Sequence, residues 1–181
     1  MALKATIFKA TLQVSDMDRN HYQEHMLTLA RHPSETDERM MVRLLAFACH
    51  ADEALAFGKG LSADDEPDLW QKDLTGAIQL WIEVGQPDER RILKACGRAQ
   101  QVVVICYGQA ADVWWNQTAS KLERARNLTV LRLPAACLPG LAQLAQRTME
   151  LQCTIQEGQI WLSGGEQTVT IEPTVWQASS R

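Results

Sequence analysis

The sequence lacks the paired cysteines, the long apolar runs and the excess of one charge that mark several large classes of protein. Its five cysteines are odd in number and none forms a Cys-x-x-Cys pair, which argues against a disulfide framework and a zinc site. No run reaches the ~18 apolar residues that a membrane span needs, and Lys4 and Lys9 interrupt the stretch that a signal peptide would keep apolar. We therefore expect a soluble cytoplasmic protein with buried, reduced thiols and no membrane segment.

The signature motifs of several common enzyme classes are also missing. There is no G-x-S-x-G, no P-loop and no G-x-G-x-x-G after a strand, so serine hydrolases, nucleotide hydrolases and dinucleotide enzymes are set aside. The 18 basic and 22 acidic residues leave a net charge of −4, which provides no global basic field to attract nucleic acid or anionic lipid. Any nucleic-acid binding therefore has to come from a local patch.

The 181 residues predict a single domain, 1–181, with a core at about 34–108. Within that core the patterns predict the order helix, strand, strand, strand, helix, strand. The elaborations are an N-terminal hairpin at 2–30 and, at 109–176, helices followed by a three-stranded meander. Alternating apolar residues in the hairpin and the meander predict a second, antiparallel sheet. The first core helix is expected to bury one stripe, formed by Met41, Leu44, Leu45, Ala48 and Ala51.

Two acidic residues occupy positions that suggest chemistry. Glu83 lies within the β-like run I-Q-L-W-I-E-V, and Asp68 follows Pro67 at the start of another such run. A turn centred between Thr75 and Gly76 would place Asp68 directly opposite Glu83, with Cβ atoms about 5 Å apart. Two anions at that distance need a shared proton or an intervening cation, and carboxylate oxygens are the usual ligands of Mg²⁺. The alternative is that Pro-Asp forms an ordinary turn and that Glu83 faces solvent.

Basic residues follow on the second predicted helix of the core. Arg91, Lys94 and Arg98 recur at spacings of three and four, which places them on one helical face. Such a stripe is ordinarily a solvated face, but beside an acidic metal site it is also a candidate for contacting a phosphate backbone. Glu38, near the start of the first helix, ordinarily complements the helix dipole and is also a candidate site carboxylate.

The acids in Pro67-Asp68 and Glu83-Val84-Gly85, together with the order of elements, resemble the PD-(D/E)XK nuclease-like superfamily. More specifically, G-x-x-x-x-x-E-P-D-L-W and W-I-E-V-G-x-P-D-E-R-R resemble the YaeQ family of small bacterial proteins, and this resemblance runs from end to end. It implies an α/β (α+β) fold with a restriction-endonuclease-like αβββαβ core built on a mixed sheet.

The superfamily resemblance implies hydrolysis of a phosphodiester, with nucleic acid as the partner and Mg²⁺ or Mn²⁺ as the cofactor. Carried over to this sequence, Asp68 and Glu83 take the metal-ligand roles and Glu38 is an assisting ligand. Where the superfamily has lysine, this chain has Gly85. The candidates for the missing charge, or for positioning a water, are Gln86, Lys94 and Lys72. The departure leaves a second interpretation open: a catalytically reduced nuclease fold that binds nucleic acid or a protein partner, for example in transcription or repair.

Overall fold

The computed structural model of the chain describes residues 4–60 and 63–180, so residues 2 and 3 of the predicted hairpin lie outside the described residues. It divides into two compact units, the first formed by Met1–Ala51 and Ala136–Glu172 and the second by Asp52–Ala135 and Pro173–Arg181. The single-domain organisation stays a prediction. None of the described helices combines the length and the apolar character needed to cross a membrane.

The helices and strands of the described residues are, in chain order, β1 (Thr6–Asp16), β2 (His21–Arg31), α1 (Asp37–Cys49), β3 (Leu55–Phe57), β4 (Leu69–Lys72), β5 (Ile78–Val84), α2 (Glu89–Arg98), β6 (Ala99–Cys106), α3 (Ala111–Leu122), β7 (Leu128–Arg132), α4 (Leu138–Gln143), β8 (Thr148–Gln156), β9 (Gln159–Gly164), β10 (Gln167–Ile171) and β11 (Thr174–Gln177).

The first unit is built on a five-stranded sheet with the order β10-β9-β8-β1-β2. The predicted hairpin and meander are both confirmed, because β1 pairs antiparallel with β2, β8 with β9 and β9 with β10. The prediction of a wholly antiparallel sheet is wrong, since β1 and β8 run parallel. Alternating burial, as at Phe8, Ala10, Leu12 and Val14, looks the same for either strand direction, so the sequence pattern does not reveal it.

Helix α1 of the first unit is buried on nearly every side. Its side chains from Met40 to Ala48 are all buried, so the prediction of a single apolar stripe is wrong. The series includes Arg43, whose Nε and Nη2 donate to the two carboxylate oxygens of Glu35 at 2.9 and 2.6 Å. Arg39 donates to the same carboxylate at 2.6 Å. A charge in this position is tolerated because its ion pair is bidentate and hydrogen-bonded.

The second unit is built on a six-stranded mixed sheet with the order β11-β7-β6-β5-β4-β3. Strands β5, β6 and β7 are parallel, whereas β3, β4 and β5 form an antiparallel meander and β11 is antiparallel to β7. Strands β3, β4 and β5, helix α2 and strand β6 follow one another as predicted. Helix α1, which the sequence analysis placed first in this core, is grouped with the first unit. The structure therefore shows a mixed α+β architecture with two mixed sheets.

Helices α2 and α3 supply the apolar side chains that cover the second sheet. Helix α2 begins after Asp88, whose side chain accepts a hydrogen bond from the Arg90 N–H and so caps the helix. Its Ile92 and Ala95 are fully buried against the sheet. The core of this unit contains Trp81, Ile92, Ala95, Ala99, Val102, Val104, Cys106, Ala111, Leu122, Leu128 and Val130.

A close backbone approach fixes the segment that leads into β4. The N–H of Gly58 donates to the carbonyl of Asp68 at 2.9 Å, and the N–H of Gly60 donates to that of Pro67 at 3.3 Å. A Cβ atom added at Gly58 would fall well inside contact distance of the Pro67 carbonyl oxygen. Glycine at position 58 therefore lets two backbone segments touch, and this contact sets the position of Asp68.

Gly58→Ala is expected to lower the free energy of unfolding by about 1–3 kcal/mol, because the new methyl group would meet backbone and not a flexible side chain. Gly97→Ala is the matched control, since it lies exposed on α2 and an added Cβ would have no neighbour within 4 Å. That substitution is expected to stabilise the protein by about 0.5–1 kcal/mol. Urea unfolding followed by tryptophan fluorescence measures both changes, and a Gly58→Ala protein as stable as wild type would contradict the close approach.

Candidate metal site

The two candidate carboxylates lie at the same end of the β4–β5 pair in the second unit. Strands β4 and β5 pair in the register Leu69↔Ile82 and Trp70↔Trp81, and the Asp68 N–H donates to the Ile82 carbonyl at 3.1 Å. The predicted register is confirmed from Leu69 to Gln71. The pairing of Asp68 with Glu83 lies beyond this ladder and stays a prediction, although the Asp68 carboxylate is near enough to raise the Glu83 pKa.

The turn between the two strands is held by local hydrogen bonds, and a bulge beside it completes the register. The Asp73 carboxylate accepts hydrogen bonds from the Thr75 N–H at 2.8 Å, from the Thr75 hydroxyl at 2.6 Å and from the Ala77 N–H at 3.0 Å. The Thr75 hydroxyl is the main cause of a lowered Asp73 pKa. Gly76 supplies the left-handed backbone conformation, with φ of +88°. The turn is therefore fixed by local chemistry and pairs Lys72 with Ile78. A bulge between Gln71 and Lys72 then shifts the register by one residue to that of Leu69↔Ile82.

Asp68 is nearly inaccessible, with 1% of its surface exposed. Its Oδ2 accepts a hydrogen bond from the Val84 N–H at 2.8 Å, so the carboxylate is anchored to the backbone of β5. Its Oδ1 lies where a Cβ atom on Gly60 would approach to 2.7 Å. Gly60 also has a φ of +51°, so both space and backbone conformation favour glycine beside this carboxylate.

Glu83 is also buried, with 5% of its surface exposed, and it has two donors on one oxygen. Its Oε1 accepts from Trp81 Nε1 at 2.9 Å and from Arg91 Nε at 2.7 Å. Burial is the largest cause that raises the Glu83 pKa, followed by the nearby Asp68 carboxylate. The Arg91 charge and the two hydrogen bonds act in the opposite direction. The alternative of a solvent-facing Glu83 is wrong, because β5 is covered on both faces at this position.

Arg91 connects Glu83 to the acidic segment that precedes β4. Its Nη2 donates to the carbonyl oxygen of Glu66 at 2.7 Å, and its Nη1 donates to that of Asp64. Arg98 continues the same side of the helix, with its guanidinium 5.0 Å from the centre of the Trp81 ring. Two of the three cations predicted to contact phosphate therefore make contacts within the second unit.

The backbone at Gly85 accounts for the absence of lysine there. Its φ of +103° is a conformation that side chains rarely adopt, although an added Cβ would meet nothing within 4 Å. The Gly85 N–H donates to the Ile105 carbonyl at 2.9 Å, which holds this conformation at the end of β5. Backbone strain, and not lack of space, therefore disfavours lysine at this position.

The other predicted residues are spread around the two units. Gln86 donates through Nε2 to the Tyr107 carbonyl, Lys94 is exposed on α2, and Lys72 Nζ lies 3.8 Å from the centre of the Trp70 ring. Glu38 is half-buried in the first turn of α1, in the first unit, where burial and then the Glu38 carboxylate raise the pKa of Cys137 to about 11. Its role as a metal ligand stays a prediction.

The sequence analysis missed the partners of Glu83. Trp81 precedes Glu83 by two residues on the same strand, and Arg91 closes the same W-I-E-V-G-x-P-D-E-R-R stretch, which is the only sequence signal that pointed to them. The structure thus brings together Asp68, Glu83 and Arg91. Within residues 4–60 and 63–180, no group of three or more His, Cys, Asp and Glu side chains is arranged to hold a metal ion.

The donor set fits Mg²⁺ or Mn²⁺ better than zinc. Mg²⁺ and Mn²⁺ favour carboxylate oxygens, and Mg²⁺ is usually held by one or two carboxylates, with the remaining positions filled by water and phosphate. Asp68 and Glu83 supply two such groups on neighbouring strands. Zinc sites, in contrast, typically use cysteine and histidine ligands.

We expect the Glu83 carboxyl group to titrate above the ordinary glutamate pKa in a metal-free buffer, because burial outweighs its hydrogen bonds. Arg91→Gln should raise that pKa further, and Asp68→Asn should lower it, since each removes one neighbouring charge. The folded state binds this proton more tightly than the unfolded chain does. The Glu83 contribution to stability therefore declines as pH rises from the unfolded pKa through the folded one. Carbon-detected NMR of the side-chain carboxyl measures the midpoint, and a midpoint at or below the ordinary value would contradict this account.

Comparison with known proteins identifies the family. The family model described as YaeQ protein matches residues 1–173. The proteins described as uncharacterized YaeQ proteins of Salmonella typhi and Escherichia coli K12 are each 52% identical over 181 residues, which covers 99% of this chain and 100% of each relative.

Two crystal structures of YaeQ proteins show the same fold. The structure from Xanthomonas axonopodis pv. citri has a TM-score of 0.93 at 53% identity and covers 96% of this chain and 99% of that chain. The structure from Pseudomonas syringae also has a TM-score of 0.93, at 35% identity, and covers 98% of each chain. With family model, relatives and solved structures in agreement along its length, the chain belongs to the YaeQ family.

Proposed function

We propose that the protein is a Mg²⁺- or Mn²⁺-dependent phosphodiesterase of the PD-(D/E)XK type that acts on nucleic acid. The observation that carries the proposal is the pair of buried carboxylates on neighbouring strands. Asp68 follows Pro67 immediately before β4, and Glu83 lies near the end of β5, close enough for the Asp68 carboxylate to raise its pKa. Burying two carboxylates side by side costs free energy, and sites with such costs concentrate where function requires them.

In this proposal Asp68 and Glu83 of the second unit hold the ion. The bound ion would polarise the phosphate and activate a water. The chain's own part is to fix the ligands. The Val84 N–H holds the Asp68 carboxylate in place, and Trp81 orients that of Glu83. Gln86 and Lys94 remain the candidates for positioning water or stabilising charge, although Gln86 donates to the Tyr107 carbonyl in this structure.

A restriction-endonuclease-like core belongs to the same proposal. The order β3, β4, β5, α2, β6, the antiparallel β4–β5 pair and the parallel β5–β6 pair support it. Helix α1 would be the first element of that core. A cytoplasmic location also belongs to it, supported by five cysteines that are all free thiols.

A second candidate function is a catalytically reduced nuclease fold that binds nucleic acid or a protein partner. The observations that favour it are the backbone conformation at Gly85, which disfavours the superfamily's lysine, and the Arg91 guanidinium on Glu83. Both features fit a site in which the carboxylates are kept for structure while the surface of the second unit does the binding.

We expect Mn²⁺ to bind the wild-type protein and to bind Asp68→Asn and Glu83→Gln at least about tenfold more weakly, because each variant replaces an anionic ligand by a neutral one. Asparagine and glutamine keep an acceptor oxygen, so the Val84 N–H and Trp81 Nε1–H keep their partners. Asp65→Asn is the control, since this exposed acid lies three residues before Asp68. Calorimetry at neutral pH measures the affinities. No binding at millimolar Mn²⁺ by either the wild type or Arg91→Gln would refute the metal site.

The second function makes a different prediction, which concerns the binding of short duplex and single-stranded DNA and RNA. Lys94→Gln should weaken binding and reduce the slope of log K against log salt by about 0.9 for duplex, or about 0.7 for single strands, because one phosphate contact is lost. Lys121→Gln is the control, since its Nζ is already paired with Glu89 at 3.1 Å. Asp68→Asn should leave this binding unchanged. Fluorescence anisotropy at several salt concentrations measures both quantities, and an unchanged slope in Lys94→Gln would exclude this residue from the interface.

A further inference from the structure

Arg91 occupies an unusual place in the candidate site. Its side chain is 27% exposed, yet it ends on a carboxylate side chain that is 6% exposed. Besides Glu83, its guanidinium holds the carbonyl oxygens of Asp64 and Glu66. One side chain thus links the predicted metal ligand on β5 to the segment before β4.

The contact with Glu83 opposes inner-sphere binding of a metal ion through Oε1. A Mg²⁺ ion lies 2.0–2.1 Å from its ligand oxygens, at a lone pair that a hydrogen bond otherwise uses. In this structure Glu83 Oε1 already accepts two hydrogen bonds, one of them from the positively charged Arg91 at 2.7 Å. A divalent ion at the same carboxylate would repel the guanidinium, and the polar environment around it screens that repulsion only partly.

From this geometry we infer that Arg91 and a divalent ion bind Glu83 alternately, with Arg91 as a positioning residue that holds the carboxylate while the ion is absent. The inference rests on the proposed metal-dependent function. When the ion binds, Arg91 leaves Glu83 and gives up its hydrogen bonds to the Asp64 and Glu66 carbonyls. The freed guanidinium then stays as a cation beside a site whose position 85 does not hold lysine.

The test compares Mn²⁺ affinity in Arg91→Gln, Arg91→Lys and the control Arg90→Gln, using the full-length protein. Arg90 is exposed on the same turn of α2, so its substitution removes the same charge without touching Glu83. Arg91→Gln should bind Mn²⁺ about tenfold more tightly than wild type, because a charge-assisted hydrogen bond no longer has to be broken. Arg90→Gln should stay within about twofold of wild type.

The sign of the effect separates competition from a merely structural role. If Arg91 only supported the fold, its removal would loosen the site and weaken Mn²⁺ binding. Equal or weaker binding by Arg91→Gln would therefore overturn the inference. That result would leave the metal site itself intact. If the wild type binds no metal but Arg91→Gln does, competition is established in its strongest form. If no protein of the set binds Mn²⁺, both the inference and the metal-dependent function are refuted. That set is the wild type, Asp68→Asn, Glu83→Gln and Arg91→Gln.

A second measurement follows Arg91 in the wild-type protein and does not depend on any variant folding. The Arg91 Nε–H proton should exchange slowly with water in the metal-free state, because it is bonded to a buried carboxylate. Titration with diamagnetic Mg²⁺ should speed its exchange and shift the Trp81 Nε1–H resonance, since both share Glu83 Oε1. An Arg91 signal that stays protected while Mg²⁺ saturates the site would overturn the inference.

Discussion

A carboxylate on an interior strand must be neutralised or matched by donors, and the second unit is arranged around that requirement at Glu83. Trp81 and Arg91 supply the donors from β5 and α2. Arg91 in turn bonds the carbonyls of Asp64 and Glu66, so the segment before β4 is tied to the same anion. The nearby Asp68 carboxylate raises the free energy of a charged Glu83. This pair of buried carboxylates is what makes the site a candidate for metal binding.

Three glycines make this arrangement possible, each for a different steric reason. Gly58 lets β3 touch the backbone at Pro67, and Gly60 leaves room for the Asp68 carboxylate. Gly85 takes a backbone conformation that directs the chain from β5 toward α2. The last of these disfavours lysine at position 85. Arg91, which lies on the following helix α2, reaches the Glu83 carboxylate from that helix.

The sequence was a good guide to local geometry in the site and a poor guide to its partners. The turn at Asp73 follows from chemistry contained within five residues, and the predicted register holds from Leu69 to Gln71. Helical spacing also grouped Arg91 with Lys94 and Arg98 correctly. Spacing alone does not say whether such a face meets water or a buried anion, because that depends on how the helix packs on the sheet.

The sequence by itself determined the strand alternation, the hairpin, the meander, the turn register and the family, since these depend on side-chain periodicity and on short motifs. Only the tertiary structure decided that β8 runs parallel to β1, that α1 is buried all round and that Arg91 ends on Glu83. The physical reason is the same in each case. Strand direction, helix burial and ion pairing depend on residues far apart in the chain, and their free energies arise only when those residues are brought into contact.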